Sequence, residues 1–511
     1  MKILRPTDKT VNAALRLFFF VFVLMGCQTK IKTPTDTLVI GLETAPLTLD
    51  PRLASDAYSS KITHLLHNGL LRLTERLELL PDLAEKVEKL SPLQYSFHLR
   101  SGVLFHDGRP LTAEDVKYTL ESIQDPALAS PFKGTMDKIR EIRILDPLTL
   151  EITLREAFSP FLSSLTMGIV PKGGDPQKGT GPFRLESFQP SQQVSLSRND
   201  SYFQTPAKMA HVIFRVVSDD NLRLLELLNR RIDVLQNNIP PNLMTVLKNR
   251  KDVIVQKTEG INVSYLGLNL SQEALSRLKV RQALAYALDL PSLITYRMEG
   301  LARPATGILA PIHWAYESGV MTHPYDPVKA RKLLDEAGYR DPDGAGPASR
   351  FTLTYKTSTK KDRIGLARLV ARYLKEVGID VKVLPFEWGT LFHDINTGNF
   401  ELFSLTWVGI TEPDIYYYAF HSSQKPPVGA NRGGYSNPEV DRLTEEGRRE
   451  EETAKRKEIY SSVQKRLAEE LPVIPLWCED NFAVFSNQVR GLRLRPNASF
   501  EWAAEVSKEL P

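Results

Sequence analysis

Cysteine is nearly absent: the 511-residue chain has two, Cys27 and Cys478, too few for a disulfide framework or a CxxC zinc site. Net charge is also small, with 65 Lys+Arg against 61 Asp+Glu. Lys2, Arg5, Lys9 and Arg16, less Asp8, place most of the surplus ahead of Cys27, leaving little to hold a nucleic acid. There is no solenoid-period repeat, no GxSxG and no HExxH. GGDPQKGT at 173–180 has lysine and glycine reversed relative to a phosphate-binding loop. An enzyme therefore has no constellation to rest on, and no cofactor is expected. What is present, 42% hydrophobic and 25% charged residues, suits two or three folded lobes.

The first residues read as an address. A basic segment leads into LFFFVFVLMG at 17–26, shorter than the roughly 20 residues of a membrane-spanning helix and suited to the core of a signal peptide. LMGC at 24–27 resembles the lipobox of bacterial lipoproteins, with Met25 an unusual occupant. Residues 1–26 are then a leader, Cys27 the lipidated first residue, and the polar stretch 27–35 a tether.

Further on, strand and helix patterns alternate. FTLTYKT from 351 has apolar residues at period two. Leu366, Leu369, Val370, Tyr373, Leu374 and Val377 then recur at helical spacing, Gly378 terminates that helix, and IDVKVLPF follows, a β-α-β unit. A helix near 389–397 and a strand at 400–407 extend it into a helix-covered parallel sheet. Val280, Ala283, Leu284, Ala287 and Leu288 trace another helix face. A further helix has Asp326 as N-cap, Pro327 at its first position and Gly338 past its end. YSFHLRSGVLFHDGRPLTAEDVKYTL, with alternating Tyr95, Phe97 and Leu99, a turn at Asp107-Gly108 and a Thr112/Asp115 cap, suits an α+β lobe. His64 and His67, three apart on a helix, make an incomplete metal site, and no metal is expected.

Six blocks, LTLDPRLASDAYSSKITHLLHNGLL (47–71), FHLRSGVLFHDGRPLTAEDVKYTL (97–120), GTGPFRLESF (179–188), LSRNDSYF (196–203), YLGLNL with KVRQALAYALD (265–289) and ARKLLDEAGY (330–339), occur in the order of one family. The chain resembles the family 5 extracytoplasmic solute-binding proteins of peptide ABC importers, the dipeptide- and oligopeptide-binding type. That resemblance implies an α/β fold of the periplasmic-binding-protein type II (cluster C), two main lobes with a hinge plus an inserted α+β third domain. Carried onto this chain, domain I comprises 36–51, 177–266 and 480–511, domain II is 52–176 and domain III is 267–479. The crossover strands fall near YLGLNL and IPLWCEDN. The implied function is capture of a short peptide by hinge closure and delivery to an ABC permease, by an exported monomer anchored through lipid and facing the periplasm or cell exterior. The same fold also serves non-peptide solutes such as nickel chelates and oligosaccharides, and a structural or signalling lipoprotein is the competing reading.

Several residues are candidates for the ligand site. The family places an aspartate shortly after a tryptophan to meet the ligand's ammonium. In TWVGITEPDIYYYAF Trp407 matches, but Ile410 holds the aspartate position, and Glu412 and Asp414 are the carboxylates near enough to replace it. Trp388 follows a strand of the same sheet, Arg432 in GANRGGYSNPEVD suits a carboxylate grip, and Tyr58 offers a hydroxyl from the domain I side.

Overall fold

In the computed structural model residues 34–240, 243–344 and 346–509 are described; the leader, Cys27 and the tether as far as residue 33 lie outside them. The β-α-β unit is present as strand Phe351–Ser358, helix Lys361–Lys375 and strand Ile379–Phe386, with the strands parallel from Phe351↔Ile379 to Ser358↔Phe386. Leu366, Val370 and Leu374 are buried at helical spacing, and Gly378 reverses the chain at φ +86°, a conformation in which a Cβ is strained. Helix Trp388–Asn396 follows. Strand Leu402–Trp407 then joins Phe351–Ser358 in parallel.

Local signals fix the helix starts elsewhere. The Asp326 side chain accepts from Lys329 N with Pro327 at the first turn, and Thr112 and Asp115 form a reciprocal capping box. The helical face around Val280 divides into helices Leu278–Tyr286 and Leu290–Met298, because Asp289 caps the second with Pro291 in its first turn.

One eleven-stranded mixed sheet runs through most of the molecule. Its first half contains Thr37–Leu42, parallel to both His211–Val216 and Val234–Gln236. The second half contains the β-α-β unit and Leu402–Trp407. Two long antiparallel strands, Val253–Leu268 and Val473–Ser486, belong to both halves. Their register breaks between Thr258 and Asn262: Val253–Thr258 pairs with Asn481–Ser486, and Asn262–Gly267 with Val473–Glu479.

Each half packs its own core. Leu38, Ile40, Val212, Phe214 and Trp502 gather on the first; Leu266, Val280, Leu284, Leu353, Tyr355 and Leu374 gather on the second. Trp502 Nε1 donates to Gln236 Oε1 at 2.9 Å, and Gln236 Nε2 donates to the Ala498 carbonyl at 2.8 Å, tying the C-terminal segment to the first half. A separate four-stranded antiparallel sheet is built from residues 84–91, 94–99, 149–154 and 139–146. Tyr95, Phe97 and Leu99 face helix Ala113–Gln124 in its own core, each such burial contributing about 1.5–3 kcal/mol. Cys478 is a buried free thiol on the second crossing strand; burial pushes its pKa up to about 12, which leaves it unreactive. Among the described residues no helix is long and apolar enough to cross a membrane.

Candidate functional site

Parallel strands deliver their carboxyl ends to one side of a sheet, where the chain is free of the ladder and polar side chains collect. In the first half, Thr37–Leu42 is followed by Glu43 and Val234–Gln236 by Asn237. In the second, Phe351–Ser358 leads to Asp362 and Arg363 at the next helix start, and Leu402–Trp407 to Val408. These ends line one cleft of about 720 Å³, floored by Asn262 and Glu479–Asn481 where the register breaks. Ligand sites commonly measure about 300–1,000 Å³, so the cleft has room for a solute of a few hundred daltons.

Charges of both signs line it. Lys61, on the wall of the first half, stands over the rings of Tyr58 (5.9 Å) and Phe500 (5.4 Å). Burial pulls its pKa down to about 8, against the opposing pull of Glu43. Tyr58 is pushed up to about 12 by burial, so it offers a neutral hydroxyl. Across the cleft, helix Leu290–Met298 presents Tyr296, 83% exposed, and Arg297, which donates to the Asp362 carbonyl. Arg363 Nε lies 3.4 Å from Asp362 Oδ2. On the floor, Asp480 faces Arg303 at 3.4 Å and Lys257 at 3.8 Å, and burial raises its pKa against the pull of Arg303. Its neighbour Glu479 accepts from Ser264 Oγ at 2.9 Å.

Of the residues singled out from the sequence, Tyr58 lines this cleft. Trp407 lies on the other face of its strand end, stacked on Tyr265 at 5.8 Å and 14°. The guanidinium of Arg432 sits 5.8 Å from the Trp407 ring and 5.5 Å from Phe392, its Nε donates to Asn396 Oδ1, and Trp407 and Arg432 share a hollow of only about 20 Å³. Trp388 is 55% exposed and stacks on Phe392 at 5.5 Å.

Glu412 and Asp414 are elsewhere, each already held by an arginine. Arg456 Nη2 pairs with Glu412 Oε1, and Ser163 Oγ donates to its other oxygen at 2.9 Å. Arg448 Nε lies 2.9 Å from Asp414 Oδ1 and stacks on Tyr417 at 3.8 Å. Burial raises the Asp414 carboxyl to about 6 against the pull of Arg448. Neither lines the cleft. Ile410 is 8% exposed in an apolar cluster with Tyr416 and Tyr460. Pairs such as 412 with 456 are long-range, and nothing in the local pattern announces them.

Of the cleft residues not singled out from sequence, Glu43 and Asn237 carried a readable signal, as polar residues immediately beyond the strands Thr37–Leu42 and Val234–Gln236; Lys61 and Arg297 lie inside helices Ala57–Leu66 and Leu290–Met298, and Glu479 inside strand Val473–Ser486, where no local pattern marks them. A second cavity of about 660 Å³, lined by Arg72, Asp82, Lys208 and Arg495 among others, is comparable in size but receives no parallel-strand ends, so the cleft is the better candidate. His67 is buried, with its ring nitrogens 3.2 Å and 2.8 Å from the Thr63 and Pro176 carbonyls; among the described residues no group of three or more His, Cys, Asp or Glu is placed to hold a metal.

The family model described as bacterial extracellular solute-binding proteins, family 5 (middle) matches residues 78–427. The chain is similar to the glutathione-binding protein GsiB of Escherichia coli K12, 29% identical over 476 residues, covering 89% of this chain and 91% of that one. Among solved structures it is similar to NikZ of Campylobacter jejuni in complex with Ni(L-His), at 27% identity and TM-score 0.81, covering 93% of this chain and 100% of that one. It is likewise similar to the oligopeptide-binding protein AppA of Bacillus subtilis in complex with a nonapeptide, at 25% identity and TM-score 0.79, covering 93% and 99%.

Proposed function

Since the chain belongs to family 5 of the bacterial extracellular solute-binding proteins, we propose that it captures a short peptide in the cleft between its two halves, closes on it, and passes it to an ABC permease. The observation that carries this reading is the convergence of strand ends from both halves on one cleft with cations and carboxylates on its walls. A free peptide is a zwitterion with a polar backbone, and such walls offer partners for both termini. Lipid attachment at Cys27, export ahead of it, a monomeric state and the domain limits 36–51 with 177–266 and 480–511, 52–176, and 267–479 belong to the same proposal. The three separate cores support those limits except at the start of the second domain, where Ile62, Leu65 and Leu66 of helix Ala57–Leu66 pack in the core of the first half.

Closure is driven by contacts a ligand makes to both halves at once, because only interactions that differ between open and closed forms shift that equilibrium. The hinge in this reading is the register break at Thr258/Asn262, since few connecting strands make rigid-body rotation easy. Tyr58 and Lys61 contact the ligand from the first half, and Arg297 and the Val408 strand end from the second. Trp407 and Arg432 hold that strand end in place, and Trp388 borders it. Native mass spectrometry of gently purified protein is expected to release a bound solute of a few hundred daltons on unfolding, and a defined peptide is expected to raise the melting midpoint. An empty cleft with no thermal shift counts against the reading; a bound nickel chelate replaces the peptide with another solute.

Lys61 gives the reading a pH signature. A carboxylate bound beside it raises its pKa above the free value of about 8, so its contribution is fully present below pH 8 and is lost as pH rises through the bound-state value. Affinity for an N-acetylated peptide with a free C-terminus, whose own amine no longer titrates near pH 8, is expected to be level near pH 7 and to fall by up to about tenfold per pH unit above pH 8. The peptide blocked at both ends and the Lys61→Met protein with the N-acetylated peptide should lack that slope. The same slope in Lys61→Met removes this lysine as the carboxylate's partner.

A further inference from the structure

The ammonium end of a bound peptide needs a counter-charge, because an ion taken out of water unpaired costs several kcal/mol. Ile410, Glu412 and Asp414 do not supply one: the first is core, and the other two are neutralised by Arg456 and Arg448 outside the cleft. Four carboxylates do line the cleft: Glu43, Asp362, Glu479 and Asp480. Asp362 has Arg363 at 3.4 Å, Asp480 has Arg303 and Lys257, and Glu43 acts electrostatically on Lys61. Glu479 differs, since among the described residues it enters no ion pair and its side chain accepts only from Ser264 Oγ.

We propose that Glu479 is the ammonium-binding residue of the cleft, selecting solutes that carry a primary amine; this rests on the peptide reading above. Its surroundings are built to hold it still. Its backbone is paired on one side with Asn262 and on the other with Ala302. Ser264 Oγ lies 2.7 Å from Thr406 Oγ, so Thr406 donates to Ser264 and Ser264 to Glu479 Oε1. That relay occupies one lone pair of one oxygen and leaves Oε2 open for an ammonium. A carboxylate oriented in this way before the ligand arrives loses little freedom on binding.

Position adds a second consequence. Glu479 stands at the register break where the two halves join, close to any axis about which they rotate, so its distance to an ammonium on the floor changes little between open and closed forms. Its contact adds to affinity in both forms and leaves the closure equilibrium to contacts on the walls.

The test uses tri-alanine and N-acetyl-tri-alanine on the mature protein near pH 7, by calorimetric titration. A charge-assisted hydrogen bond is worth about 10- to 100-fold in affinity. Wild type is therefore expected to prefer the free amine by about that factor, Glu479→Gln to lose the preference, and Asp480→Asn, whose carboxylate serves Arg303 and Lys257, to keep it. At saturating tri-alanine, Glu479→Gln should still contract in solution scattering as wild type does. Glu479→Asp, with the same charge one methylene shorter, carries the test if the amide fails to fold, with an intermediate preference expected. An undiminished preference in the Glu479 variants, its loss in Asp480→Asn as well, or its absence from wild type overturns the assignment while leaving the peptide reading standing. If wild type binds neither probe, the peptide reading falls first and the assignment with it. A saturated Glu479→Gln protein that stays open overturns the claim that this contact is neutral to closure.

Discussion

Glu412→Ala is expected to lower the melting midpoint of the second half by about 6 °C or more, without changing the preference for free over acetylated peptides. Arg456, 6% exposed, is held by Glu412, by the Gly447 carbonyl at 2.9 Å from its Nε, and between the rings of Trp314 and Tyr460. Removing Glu412 leaves a desolvated guanidinium without its anion, which costs about 3–5 kcal/mol; for a lobe of some 150–250 residues each kcal/mol shifts the midpoint by about 2–4 °C. Glu412→Gln keeps an acceptor but not the charge, and should fall between. Ser163→Ala removes only the neutral donor and is expected to cost about 1 kcal/mol. Differential scanning calorimetry beside peptide titration separates the roles. An unchanged midpoint with an amine-selective loss of binding returns Glu412 to the ligand.

The contrast between Glu412 and Glu479 shows what local sequence carries. Strands, helices and their ends were legible wherever one short stretch decides them: the β-α-β unit at 351–386, the Asp326 and Thr112 caps, the alternation of Tyr95, Phe97 and Leu99. The resemblance across six blocks carried the fold as a whole. Charge partners were not legible, because they are settled in three dimensions. Glu412 meets an arginine 44 positions away and Asp414 one 34 positions away, and a carboxylate two positions from the expected slot looks available until those arginines are placed. Trp407 was found by its neighbours in sequence, but strand parity put its ring on the face opposite Thr406, whose hydroxyl leads through Ser264 to Glu479. A shift of one residue along a strand exchanges faces, so the hydroxyl chain and the aromatic stack lie back to back on adjacent residues.

Gly260→Ala is expected to reduce peptide affinity by at least about tenfold, with the loss residing in closure. Gly260 lies within the register break, and a Cβ there comes 2.2 Å from the Glu479 carbonyl oxygen, far inside the 3.4–4 Å of ordinary contact. The obstructing atom is backbone, so no side-chain rotation relieves it and the crossing strands must part by roughly an ångström. Overpacking of this kind costs about 1–3 kcal/mol, and 1.4 kcal/mol charged against the closed form is a factor of ten in affinity. Because the loss falls on closure, free and acetylated peptides weaken together, unlike the amine-selective effect of Glu479→Gln. Gly389→Ala is the control: it lies in helix Trp388–Asn396 with nothing within 4 Å of a Cβ, and there alanine should stabilise by up to about 1 kcal/mol. Solution scattering with and without tri-alanine reads the outcome directly. A Gly260→Ala protein that contracts on the peptide as fully as wild type, at undiminished affinity, would show that the two halves do not turn about this break.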